Sequence, residues 1–272
     1  MKGAITVEII KQNNKQIPVG DEKNNDILDL YDKFVEIKQK GWIKGDKKNR
    51  GSAGIIFEKL LKNSYNNFEL PDYNGIEIKT KSSIREKYVS LFSAVPDSFL
   101  FEIKRIVEQY GYPDKQYAQF NIFNMDVYSY KYNKSTSGYY FKLEIDNEQK
   151  NIILNVYDKR LKKIDSSSKW SFDLLKEKLE RKLNYLAFIK TEKKFEHNEI
   201  FFKYNTIEFY KLKDFNTFIN LIKKGIIKVV FRIGIYKDEK RLGQVYDHGS
   251  VFCIKDSHLE RLFQKVRVNN SD

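Results

Sequence analysis

Pro71-Asp72-Tyr73-Asn74-Gly75-Ile76-Glu77-Ile78-Lys79 is the stretch that decides how this chain is read. Asn-Gly between short alternating runs signals a two-residue hairpin turn, because such turns need positive φ at both central positions. With Asn74 and Gly75 in the turn, Tyr73 faces Ile76 and Asp72 faces Glu77, and opposed residues of an antiparallel pair share one side. Alternation sends Ile76 and Ile78 towards a core and leaves Glu77 and Lys79 pointing the other way. The spacing therefore predicts two carboxylates and an ammonium on one polar surface.

Paired carboxylates on a rigid strand suit Mg²⁺, a hard cation that takes one or two carboxylates and keeps several waters. Asp72 and Glu77 are the candidate ligands, and the main-chain carbonyl of Ile78 could add a third oxygen. A metal there polarises a phosphodiester and acidifies water, while Lys79 orients that water or offsets developing charge. The same spacing also fits a solvated Asp-Glu-Lys patch beside a turn, since these residues are common in hairpins.

Working outward, Gly54-Ile55-Ile56-Phe57-Glu58-Lys59-Leu60-Leu61 precedes the hairpin, and Thr80 follows Lys79. Far downstream stand Trp170-Ser171-Phe172-Asp173, Lys182-Leu183-Asn184-Tyr185-Leu186-Ala187, Arg232-Ile233-Gly234 and Asp247-His248-Gly249. Together these segments resemble the MvaI/BcnI family of monomeric restriction endonucleases, a MutH-like branch of the PD-(D/E)XK nucleases. The resemblance implies an α/β, restriction-endonuclease-like fold: a mixed β-sheet flanked by helices, with a C-terminal DNA-recognition lobe. It also implies that Glu58, on a helix beside the site, assists Asp72, Glu77 and Lys79. The domain expectation is an N-terminal arm (1–24), a catalytic core (25–190) and a recognition lobe (191–272), or one continuous unit of the last two.

Composition agrees with a polyanionic partner. The 272 residues carry 50 Lys+Arg against 37 Asp+Glu, a net charge of +13, with a pI near 9.4, and such an excess favours nucleic acid. With 41% hydrophobic residues, among them 20 Phe and 18 Tyr, a sizeable core is available. Cys253 is the single cysteine, which excludes an internal disulfide and a cysteine-cluster zinc site. No apolar run reaches membrane-spanning length and Met1-Lys2-Gly3 leads into no signal-peptide core, so the expectation is a cytoplasmic protein with no membrane partner. No Gly-x-Ser-x-Gly elbow, Walker A loop or dinucleotide fingerprint is present, and three scattered histidines offer no zinc pair.

Along the chain, helical spacing covers Asn25 to Gln39, Ser52 to Asn63, Phe99 to Tyr110, Ser171 onward, and Phe215 to Lys224. A last helix is expected from Asp256 to Lys265. Ile200 to Tyr204 and Ile207 to Tyr210 read as the two arms of a hairpin. On the long helix after Ser171, the face with Lys176, Lys178, Arg181 and Lys182 reads as solvated. The loop Lys44-Gly45-Asp46-Lys47-Lys48-Asn49-Arg50-Gly51 offers Lys47, Lys48 and Arg50 to phosphates.

The strand Ile226 to Tyr236, its basic loop and Tyr246-Asp247-His248-Gly249 form the candidate base-reading unit. Arg232 can donate twice to guanine and His248 once to N7, with Tyr246 and Asp247 beside them. An inter-strand ion pair for Arg232 and a backbone-bonded turn for His248 are the plain alternatives. The resemblance implies duplex DNA cut at a CC-x-GG site by a monomer, without an obligate protein partner. Val230 and Cys253 stand where the family has polar residues, so the central pair is open and CCNGG is included. A MutH-type mismatch-repair nickase and a non-catalytic DNA-binding protein are the other readings.

Overall fold

The computed structural model describes residues 5–10, 16–18, 21–46, 52–61, 70–82, 87–97, 99–247 and 250–270. In chain order the first half runs β1 (Ile5–Ile10), β2 (Gln16–Pro18), α1 (Asp21–Gln39), β3 (Ile43–Lys44), α2 (Ser52–Leu60) and β4 (Ile76–Lys81). Then come β5 (Tyr88–Ser93), α3 (Phe99–Tyr110), β6 (Tyr112–Pro113), β7 (Asn121–Val127), β8 (Asn133–Lys134) and β9 (Tyr140–Asp146). They are followed by β10 (Asn151–Tyr157), β11 (Lys163–Asp165), β12 (Lys169–Ser171), α4 (Phe172–Leu183), β13 (Tyr185–Glu196) and β14 (Glu199–Leu212). The chain ends with α5 (Phe215–Lys223), β15 (Ile227–Ile235), β16 (Val245–Asp247), β17 (Val251–Lys255), α6 (Leu259–Leu262) and β18 (Phe263–Asn270).

Two compact units share this chain by turns. The first takes residues 1–89, 179–214 and 256–272, the second 90–178 and 215–255. Neither unit is a single run of sequence, whereas the sequence suggests consecutive segments.

In the first unit the sheet order is β2-β1-β18-β14-β13-β4, with β3 also on β14. β13 and β4 run parallel, from Tyr185 opposite Ile76 to Lys190 opposite Lys81, while the other pairs are antiparallel. The sheet is therefore mixed. One face is covered by the apolar stripes of two helices, Ile27, Leu30, Phe34 and Ile37 of α1 and Ala53 and Phe57 of α2, against Ile76, Ile78, Ala187, Ile189, Phe202 and Tyr204. Tyr204 donates from its buried hydroxyl to the Ala53 carbonyl at 2.7 Å and packs its ring 5.2 Å from that of Phe57. This fixes α2 on the sheet.

Two expectations need correction here. Ile200–Tyr204 and Ile207–Tyr210 are one strand, β14, because Asn205 is absorbed as a bulge and does not turn the chain: Lys190 pairs with Thr206, but Thr191 with Tyr204. The terminal helix is one short turn at Leu259–Leu262. Phe263 onward is β18, whose Val266 joins the core against Phe209 and opposite β1. Val266 and Val268, alternating with Lys265, Arg267 and Asn269, suit this strand. The first segment adds β1 and β2 to the same sheet, and α1 begins at Asp21.

In the second unit β5-β17-β15-β7-β6, with β16 on β15, forms one sheet and β11-β10-β9-β8, with β12 on β10, another. An aromatic core lies between them: Phe123 against Phe141 (5.2 Å) and Phe231 (5.6 Å), and Trp170 against Phe231 and Phe252. Trp170 satisfies its buried indole N–H at the Ala94 carbonyl, 3.0 Å away. The Asn147–Lys150 turn joins β9 to β10. Among the described residues no helix is long and apolar enough to cross a membrane.

The α2 contact predicts a measurable cost. Phe57→Ala should lower stability by about 3–5 kcal/mol, read as a fall in the urea midpoint of the far-ultraviolet dichroism transition.

Candidate active site and nucleic-acid interface

The hairpin forms as its residues dictate. Asn74 (φ 42°) and Gly75 (φ 78°) occupy the turn, and Tyr73 and Ile76 exchange both backbone hydrogen bonds (2.9 and 2.7 Å). Helix α1 clamps it from outside: Lys23 donates to the Asn74 carbonyl (2.6 Å), Asn74 donates to Asp26 (3.1 Å), and Tyr73 shares its hydroxyl with Asp29 and Lys33. Asp72 then reaches across the turn, and its Oδ2 accepts the Ile78 N–H at 2.8 Å. In a strand the N–H and C=O of one residue point to the same side. The Ile78 carbonyl is thus directed to Asp72's side of β4, which is the last strand of the sheet order.

Ile76 and Ile78 face α1 and α2, so Glu77 points to the opposite face. There the expectation of an open polar surface fails: Glu77 is 1% exposed. Its Oε1 accepts from Lys79 and lies 3.5 Å from Nζ of Lys182, while its Oε2 is buried with no hydrogen-bond partner among the described residues. Burial raises the Glu77 carboxyl's pKa, Lys79 opposes that rise, and the Asp72 charge adds to it.

Glu58 comes from α2. Gly54, one helical turn earlier, sits so close to β4 that a Cβ there would lie 3.3 Å from the Thr80 hydroxyl and 3.7 Å from Glu58 Oε1. Glycine is therefore what lets this turn of α2 approach the strand. Burial first, then the charges of Asp72 and Glu77, push Glu58 up to about 7, against the pull of Lys79 and Lys182. Three carboxylates and two ammonium groups thus feel one another at the end of the sheet.

These residues fit a divalent cation. A buried carboxylate oxygen without a partner costs about 1–3 kcal/mol or more, and a like-charged neighbour raises that cost. A cation relieves both. No ready cluster of three Asp, Glu, His or Cys side chains exists among the described residues; Asp72, Glu77 and the Ile78 carbonyl are the candidate oxygen donors. That set suits Mg²⁺, which fills its remaining positions with water or phosphate.

Sequence reading missed Lys182. It was placed on a solvated helix face, yet it is only 18% exposed and supplies the second cation beside Glu77. The signal was positional: Lys182 lies in the last turn of α4, three residues before β13, whose Leu186 pairs with Glu77 itself.

In the second unit Arg232 projects from β15, exposed and, among the described residues, in no ion pair. Tyr246 packs its ring against Gly234, where a Cβ would lie 3.1 Å from its hydroxyl, and 4.7 Å from that of Tyr236. Asp247 pairs with Ile233. His248, Lys47, Lys48 and Arg50 lie outside the described residues. The part of that basic loop which is described places Lys44 3.3 Å from Glu199.

Comparison with known proteins gives the family and the fold. The profile of the MvaI/BcnI restriction endonuclease family matches residues 31–263. A solved structure of restriction endonuclease MvaI with its cognate DNA substrate is 32% identical, with a TM-score of 0.81, covering 89% of this chain and 97% of that one. MvaI in the absence of DNA is 31% identical over the same shares, with a TM-score of 0.58. No curated protein matches. The fold is restriction-endonuclease-like, and with the family profile spanning most of its length the chain belongs to the MvaI/BcnI restriction endonuclease family of type II site-specific deoxyribonucleases.

Proposed function

We propose that the chain is a Mg²⁺-dependent endonuclease that cuts duplex DNA at a CC-x-GG site, CCNGG included, working as a monomer that nicks one strand and then the other. The observation that carries the metal assignment is Glu77 Oε2, buried and without a hydrogen-bond partner among the described residues, where the carboxyl also feels the charge of Asp72 and acts on Glu58. Asp72, Glu77 and the Ile78 carbonyl would hold the ion. When bound, Mg²⁺ supplies Lewis-acid polarisation of the scissile phosphate and acidifies a water.

The protein's own groups do the rest. Lys79, anchored on Glu77 Oε1, orients the attacking water and offsets charge as it develops on the phosphate. Glu58 is the accessory acid; at neutral pH its raised pKa leaves it free to change protonation state. Arg232 donates to guanine O6 and N7, with His248, Asp247 and Tyr246 following in sequence, while Lys47, Lys48 and Arg50 take phosphates. The MvaI structure holds cognate DNA substrate, and the +13 charge of this chain suits the same partner. A protein of this kind works in the cytoplasm.

The catalytic roles predict a separation of function. Lys79→Ala should cut cleavage roughly 100-fold or more while duplex affinity stays near wild type, and Asp72→Ala should in addition lose Mg²⁺ binding by calorimetry. Robust cutting by either variant would sink the assignment.

The pH behaviour follows from Glu58. Its carboxyl rises from 4.5 to about 7 on folding, so metal-free protein holds the proton more tightly than the unfolded chain. That stabilisation is complete below the unfolded value and is lost as pH rises through the folded one. In EDTA the melting temperature should fall between about pH 5 and about pH 8, and Glu58→Gln should flatten the fall. Mg²⁺ should raise melting more at the higher pH, where its ligands are ionised.

The Asp-x₄-Glu-x-Lys spacing occurs twice, at Asp72–Lys79 and at Asp97–Lys104. The second runs into helix α3, whereas the first ends on strand β4, so on this reading each monomer carries one site and hydrolyses one strand at a time. Nicked plasmid should accumulate before linear product, and light scattering should find one protein per duplex. Concerted cleavage by a stable dimer on DNA would overturn this.

A further inference from the structure

The sheet face that carries Arg232 holds a second polar side chain of opposite sign. Partners in register share a face. Arg232 therefore stands beside Asn124, Val230 beside Asp126 and Val251, and Lys228 beside Cys253, while Val229, Phe231 and Ile233 turn to the aromatic core. Lys228 is 7% exposed, and its ammonium ends on Oδ2 of Asp126, whose side chain is 45% exposed. The Tyr128 ring lies 5.8 Å from the same ammonium. A lysine buried in a sheet thus pins the carboxylate that emerges one register step from Arg232.

We propose that Asp126, held by Lys228, accepts a hydrogen bond from a cytosine amino group next to the guanine that Arg232 reads. This rests on the reading of β15 as a base-contacting strand. An ionised carboxylate only accepts, so among base edges it needs an amino donor. Adenine sets N7, an acceptor, beside its amino group and repels a carboxylate, whereas cytosine presents N4–H₂ alone. Guanidinium and carboxylate on adjacent strands match the acceptor and donor halves of a C·G pair. Val230, opposite Asp126, is apolar and does not compete for the hydrogen bonds of a base edge. Pinning by Lys228 removes the rotamer freedom that a lone aspartate would lose on binding.

The test is a coupling measurement between side chain and base. The site is first mapped by sequencing the ends of cleaved plasmid. Each cytosine in turn is then replaced by 2-pyrimidinone, which keeps the ring and lacks the amino group. For wild type, one replacement should lower kcat/KM roughly 10-fold or more. Asp126→Ala combined with Lys228→Met, which removes both charges together, should cleave the unmodified site at that lowered rate and lose less than about twofold on the replacement. Should the double variant fail to melt cooperatively, Asp126→Asn keeps the shape and should reduce the sensitivity at that cytosine roughly threefold.

Wild-type sensitivity at every cytosine in these variants, or a mapped site without cytosine, overturns the proposal. A lower melting temperature with equal losses on all substrates would assign Asp126 to neutralising Lys228 alone. Arg232→Ala is the separate control: if its preference for the site over random DNA matches wild type, the base-contacting reading of β15 fails, whatever Asp126 does.

Discussion

A carboxylate cannot remain charged inside a protein unless positive charge stands beside it, and the catalytic unit is arranged around Glu77. Strand alternation turns it away from Ile76 and Ile78, and it is buried all the same. Lys79, two residues on, and Lys182, from the last turn of α4, answer one of its oxygens. The other oxygen is left for a ligand. Asp72, locked to the Ile78 N–H, and Glu58, admitted by Gly54, bring further negative charge to the same place. Burial first, and then the neighbouring carboxylates, push Glu58 up to about 7. On the metal reading proposed above, a divalent ion would relieve that cost.

Much of this was legible in the residues. Asn-Gly can close a two-residue turn because both positions tolerate positive φ, and from that turn the convergence of Asp72 and Glu77 follows by register alone. Helical stripes in α1, α2, α4 and α5 fall out of the apolar spacing. The burial of Glu77 did not, because burial depends on residues distant in sequence, Lys182 among them, and nothing local in Ile-Glu-Ile-Lys encodes it. Lys182 was hidden for the same reason. A lysine on a charged helix face looks solvated until the partner strand is known.

The other misreadings share a physical origin as well. Asn205 between two aromatic runs carries a turn-forming residue type, yet a bulge satisfies it without reversing the chain. The run after Leu262 is amphipathic at either period, and only its pairing with β1 and β14 selects the strand. Strand pairing over such sequence distances is a tertiary fact. Arg232 is singled out by its residue type on a β-branched strand and by the segment Arg232-Ile233-Gly234, but nothing in the linear sequence sets Asp126 one register step away.

The alternating membership of the two units bears on how such an enzyme changes its target. The chain passes between them four times, at 89/90, 178/179, 214/215 and 255/256. No single recombination point can therefore transplant one unit whole. An exchange must replace residues 90–178 and 215–255 together, or break sheets on both sides of the join. Modular enzymes acquire new sequence preferences by swapping a cassette; this architecture opposes that route and leaves substitution in place, one side chain at a time.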